Sequence, residues 1–167
     1  MNILYVHGLG GTKNGSTSRN LKELCLKNNI DVVISSSLGA FYTLNATLEI
    51  KNIKIECSRS EEFANLHREE FDLAGARALA SSGVTAELLS PLVKTGGKIL
   101  TFKGEKVYEE ISEVNNKWRI LGLKKPTLNF YGGENSSKCI LIWEKISPCS
   151  KNLPRRPGLA AAKKFWE

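Results

Sequence analysis

Seven short apolar runs, rich in β-branched residues, constrain this chain more than any other feature. They read ILYV (3–6), IDVVI (30–34), IKIEC (53–57), FDLAGA (71–76), GKILTF (97–102), TLNFY (127–131) and KCILIWEK (138–145). Residues of this kind fit a pleated surface buried on both sides, so each run is a strand signal. The segments between most of them are long enough for a helix. Apolar spacing predicts helices over Ser18–Lys27, Leu38–Leu48, Thr85–Val93 and Glu105–Val114. Strand and helix in alternation predict a parallel sheet with helices on both faces.

The last two strands break the alternation. Only GGENSS separates TLNFY from KCILIWEK, too little chain for a crossover helix, so this pair is expected as an antiparallel hairpin. The predicted fold class is α/β: a Rossmann-like three-layer sandwich on a seven-stranded, mostly parallel sheet with a C-terminal antiparallel hairpin. Right-handed crossovers give the spatial order 3-2-1-4-5-7-6. A single domain is expected over residues 1–167, with segments 1–44 and 45–145 and a Pro-, Lys- and Ala-rich tail, 146–167, partly laid over the sheet.

The formal charge of +7 permits an anionic partner without requiring one. The tail concentrates the excess, with Lys151, Arg155, Arg156, Lys163 and Lys164 against Glu167 alone. Cys25, Cys57, Cys139 and Cys149 are scattered, with no CxxC pair and two histidines, so no metal site is expected. The N-terminal apolar run is too short for a membrane span and lacks the flanks of a signal peptide, which makes a reduced, cytoplasmic setting the default. Self-association into a homodimer is compatible with the sequence and is not specified by it.

Ser37, in SSSLG at 35–39, stands where the nucleophile of a strand-turn-helix elbow would stand, and ILYVHGLGG precedes it. On these motifs residues 1–44 resemble the start of the small esterase-like α/β-hydrolases. The resemblance implies Ser37 as nucleophile and an oxyanion loop formed by Gly8, Leu9 and Leu38. A serine needs a base, and the histidine that follows the last strands in that family is missing here. His7, expected at the same sheet edge as Ser37, is the remaining candidate.

From about residue 46 the strings IKIECSRSEEF, FDLAGARALAS, LVKTGGKILTFKG and PRRPGLAAAKK are similar to the latter half of the glucose-inhibited-division B family, the small-subunit ribosomal RNA guanine-N(7) methyltransferases. The resemblance implies that Ser60 and Glu61 border the adenine of S-adenosylmethionine and that Arg77 lies near the cofactor and substrate cleft. It also implies that Arg155 and Arg156 face RNA or the cleft. Two landmarks of such a site are not intact. HGLGG is a weak glycine loop, and the second strand ends in Ser35, Ser36 and Ser37 where a carboxylate would hold the ribose. The sequence alone therefore predicts a recombined or designed chimera with no complete active site, no native catalysis and no required cofactor. A serine esterase, a methyltransferase using S-adenosylmethionine and an RNA-binding protein are the alternatives.

Overall fold

The computed structural model describes residues 2–7, 31–35, 53–56, 58–133 and 136–167. Its strands are β1 (Asn2–His7), β2 (Asp31–Ser35), β3 (Ile53–Glu56), β4 (Phe71–Arg77), β5 (Val93–Lys103), β6 (Thr127–Phe130) and β7 (Cys139–Glu144). The helices among the described residues are α1 (Ser60–Leu66), α2 (Ser82–Leu89), α3 (Val107–Glu113) and α4 (Leu159–Ala162). The expected helices over 18–27 and 38–48 lie outside the described residues.

One sheet holds these strands in the order β3-β2-β1-β4-β5-β7-β6. The first five run parallel, and β7 is antiparallel to both β5 and β6. The architecture is Rossmann-like, with a mixed sheet. The two strands of segment 1–44, β2 and β1, lie side by side between β3 and β4 of the following segment.

Alternation on β7 shows how the sheet is buried. Cys139, Leu141 and Trp143 are inward, and opposite them in register stand Lys103, Thr101 and Ile99 of β5. Trp143 meets Trp118 with ring centroids 5.6 Å apart. The TGG in the middle of the rear motif has a local purpose: register jumps from Phe71↔Val93 to Leu73↔Lys98, leaving extra residues on β5. Gly96 takes φ +88° there, and a Cβ on Gly97 would press on the Asp72 carbonyl at 2.7 Å. Only glycine meets both demands.

Helix α2 differs from its sequence expectation at both ends. It starts at Ser82 rather than Thr85 and gives way to a 3-10 turn at Ser90–Leu92. Pro91 cannot continue an α-helix, so the strand begins at Val93. Every residue from Ser82 to Leu89 is buried, which selects the small, weakly patterned sequence SGVTAELL. Helix α1 was not anticipated at all. Phe63 and Ala64 are its buried apolar residues, too short a stripe to register as periodic.

The tail is anchored in the core and on the helices: Cys149, Leu153, Ala160 and Trp166 are buried in the core. Arg68, just after α1, donates to the carbonyls of Cys149 (3.1 Å), Ser150 (2.8 Å) and Leu153. Trp166 sits where a Cβ on Gly83 would be, with Val114 behind it.

This contact makes a test. Gly83→Ala should lower the thermal midpoint, because overpacking a filled core costs about 1–3 kcal/mol, more than the ~1 kcal/mol that alanine returns in helix propensity. In a Trp166→Ala background the same substitution should become neutral or stabilising, as read by thermal unfolding of the four variants.

Candidate functional site

Parallel strands put their carboxyl ends at one edge, and ligands of open α/β sheets bind there, where the strand order reverses. In this chain the reversal falls between β1 and β4. His7 closes β1 and is in register with Arg77, which closes β4. On one side of the reversal Ser35 ends β2 in register with Glu56, the last residue of β3. On the other, Arg77 is in register with Phe102 near the end of β5.

The sequence-derived residues are distributed unevenly about this edge. Ser37, Gly8, Leu9 and Leu38 lie outside the described residues, and His7 is placed as the end of β1. Ser60 and Glu61 open α1, which follows β3, and both are buried. The Ser60 hydroxyl donates to Glu61 Oε2 at 3.3 Å, and Glu61 Oε1 accepts the Gly158 backbone N–H at 3.0 Å. Arg77 is exposed at the edge itself.

Arg155 and Arg156, neighbours in sequence, have different settings. Arg155 donates from Nε to Glu87 Oε1 at 2.6 Å and from Nη2 to Oε2 at 2.7 Å, a two-pronged pair, and also to the Lys163 carbonyl. The Glu87 side chain is 1% exposed and that of Arg155 20%. Hydrogen bonding to the Glu87 carboxylate holds the Arg155 pKa above its ordinary value, outweighing burial. Arg156 is exposed.

A second polar cluster braces the edge from behind. Lys103, the last residue of β5, donates to the Ala80 carbonyl at 2.7 Å and pairs with Glu110 of α3 at 2.8 Å. The same Glu110 oxygen accepts the Ser82 backbone N–H (2.7 Å) and hydroxyl (2.6 Å), so a carboxylate from another helix caps α2. Burial pushes the Glu110 carboxyl up, but the bonds from Lys103 and Ser82, with the Lys103 charge, outweigh it and hold the carboxyl below its ordinary value.

Sequence reading missed Glu56, Glu87 and Glu110. Glu56 lies inside the IKIECSRSEEF motif, and its signal was available: it is the carboxylate at the end of a β-branched run, as a sheet-edge acid would be. The other two carry no local signal, since Arg155 is 68 residues from Glu87 and the Ser82 that Glu110 caps is 28 residues away. Among the described residues no group of three His, Cys, Asp or Glu is placed to hold a metal ion. None of the described helices is long and apolar enough to cross a membrane.

Comparison with known proteins identifies relatives. The GidB family, described as rRNA small subunit methyltransferase G, matches residues 41–139. Ribosomal RNA small subunit methyltransferase G of Petrotoga mobilis is 34% identical over 135 residues, 79% of this chain and 59% of the relative. The protein of the same name from Fervidobacterium nodosum is 35% identical over 114 residues, 67% of this chain and 54% of its own length. The chain thus spans between half and two thirds of these curated relatives. Among solved structures, the W203A mutant of a 16S rRNA (adenine(1408)-N(1))-methyltransferase from Catenulisporales acidiphilia superposes with a TM-score of 0.62 at 14% identity. That match takes in 89% of this chain and 87% of the other, and it shows a shared fold.

These likenesses correct the expectation of a chimera without native catalytic function. That reading rests on two partial resemblances, each with an incomplete set of site residues, whereas a single relative extends over 79% of the chain. The serine-hydrolase alternative draws no support from them.

Two measurements test the electrostatics. Removing Arg155 leaves Glu87 buried and unpaired, so Arg155→Ala should cost about 3–5 kcal/mol, whereas exposed Arg156→Ala should stay within about 0.5 kcal/mol; urea unfolding reads both. The folded pKa of Glu110 lies below its unfolded value. Its contribution is therefore present above the unfolded pKa and lost as pH falls through the folded one. Glu110→Gln should be less stable than the wild type at neutral pH, and the difference should shrink on acidification from about pH 5 to about pH 3.

Proposed function

We propose that this chain, which belongs to the GidB family of rRNA small subunit methyltransferase G proteins, binds S-adenosylmethionine at the carboxyl edge of its sheet and methylates small-subunit ribosomal RNA. One observation carries the reading: the family match over residues 41–139 spans β3 to β6, and the strand order around it reverses between β1 and β4. S-adenosylmethionine was not required by the sequence reading. It enters with the family.

The edge fits such a cofactor in the chemistry of its donors. A ribose presents two hydroxyls, and a carboxylate accepts both with charge-assisted strength. Strand β2 ends in Ser35, but Glu56 stands in register beside it on β3, one strand spacing away, about 4.8 Å. Glu56 is the residue we assign to the ribose. Ser60 and Glu61 would wall the adenine side; their polar atoms are turned to each other and to Gly158, which suits a rigid wall better than a hydrogen-bonding pair.

When bound, S-adenosylmethionine supplies a methyl group on a sulfonium centre. Guanine N7, the acceptor implied by the resemblance, already offers a lone pair at neutral pH. Transfer to it asks for placement rather than for a general base. No proton need be removed from the acceptor, so the residues at the edge have only to place it, and Arg77, in register with His7, is given the task of orienting the substrate beside the cofactor. Arg156, exposed on the tail, is suited to a phosphate. Arg155 is committed to Glu87.

Calorimetric titration with S-adenosylmethionine tests the proposal. The wild type should bind, and Glu56→Gln should weaken binding about 10- to 100-fold through loss of charge-assisted hydrogen bonds. No heat from the wild type at millimolar ligand would remove the methyltransferase reading.

A further inference from the structure

The carboxyl edge is lined by rings that the methyl-transfer reading does not use. Tyr108, Phe130 and Tyr131 are 61%, 52% and 42% exposed, among the most exposed large apolar side chains of the described residues. They form two pairs with Phe102. Tyr108 lies nearly parallel to Phe130, with centroids 6.3 Å apart and an interplanar angle of 29°, while Tyr131 meets Phe102 edge-on at 6.3 Å and 89°.

Register separates the pairs. Phe130 stands opposite Cys139, and Cys139 opposite Lys103; this is the face on which α3 brings Tyr108. Phe102 stands opposite Ile140 on one side and Arg77 on the other. Side chains alternate along a strand, so Arg77, Phe102 and Ile140 share the opposite face. Tyr131, which follows Phe130 and packs on Phe102, belongs with them.

We infer that Tyr131, propped edge-on by Phe102 in the row that contains Arg77, is a stacking platform for one unpaired base of an RNA substrate. The inference rests on the RNA reading proposed above and names a contact within it. Three properties of the site favour this occupant. A tyrosine ring fixed by a neighbour presents a flat apolar face with little freedom left to lose, and bases stack on such faces whatever their sequence. The backbone behind it is anchored, since the Tyr131 N–H donates to the Lys138 carbonyl at 3.0 Å. Arg77, on the same face and exposed, supplies a planar cation of the kind that binds phosphate or stacks on a base. Lys138, in the strand-turn partner of Tyr131, adds a second cation. Glu105, Glu109 and Glu110 belong to the α3 side, where Tyr108 is. Glu110 is neutralised there by Lys103 and Lys106 offsets Glu105, but Glu109, next to Tyr108, has no such neighbour in sequence, which makes the Tyr108–Phe130 pair the poorer platform for a polyanion.

Fluorescence anisotropy of a labelled, mixed-sequence single-stranded RNA oligonucleotide at low salt tests this. Tyr131→Ala should weaken binding about 5- to 100-fold, Tyr131→Trp should retain it, and Tyr108→Ala should bind as the wild type does. S-adenosylmethionine titration and thermal midpoint should match the wild type in all three, which separates lost stacking from lost fold. If the wild type binds RNA and Tyr131→Ala binds equally well, the platform is overturned while the RNA reading stands. If the wild type binds no RNA, both fall. If Tyr131→Ala turns a sedimenting dimer into a monomer with RNA affinity unchanged, the patch joins two copies of the chain and the proposal is wrong.

Discussion

A carboxylate in the middle of a fully buried helix is the constraint on which the helical layer depends. Glu87 belongs to α2, whose residues from Ser82 to Leu89 are all buried, and an isolated charge in such a place would cost many kcal/mol. Arg155 resolves it with a two-pronged bond from the tail. Because the guanidinium also holds the Lys163 carbonyl, the bond that neutralises α2 also sets the path of the tail. Glu61, at the start of α1, holds the same segment through the Gly158 N–H. The tail therefore acts as a third helix-side layer, fastened at α1, α2 and the Lys117 turn, where the Lys117 ammonium donates to the Trp166 carbonyl.

The opposite edge of the sheet has its own fastening. The Lys145 ammonium is buried and donates to the Ser90 carbonyl at 2.6 Å and hydroxyl at 3.0 Å, with Glu69 3.6 Å away. Burial holds its pKa below the ordinary lysine value, with Cys149 and Glu69 pulling it back up. The two ends of the parallel strands are thus treated differently. The amino ends of β4 and β5 are closed by interior polar contacts, whereas the carboxyl edge presents Arg77 and the aromatic residues to solvent.

What the sequence discloses follows from how local each signal is. Strand runs are short, contiguous and β-branched, and the GGENSS connection is too brief for a helix, so the sheet order follows from counting connections. Helix α1 is hidden because it buries one bulky residue, Phe63, with Ala64 beside it. Arg155 reads in sequence as a cation facing RNA or the cleft, like Arg156, because its partner is 68 residues away. The site shows the same division: Ser60, Glu61 and Arg77 are legible through a family resemblance, but Glu56 acquires meaning only from its register with Ser35. Similarity over most of the chain outweighs the two local departures, at HGLGG and at the serines at 35–37.

The separation of Glu87 from Arg155 has a consequence for synthesis. At about 5–20 residues per second, a ribosome completes Arg155 roughly 3 to 14 seconds after Glu87. Throughout that interval the nascent α2 cannot enter its final place without stranding an ion. Until the tail arrives, the side of α2 that Arg155 and Trp166 cover, at Glu87 and Gly83, stays open.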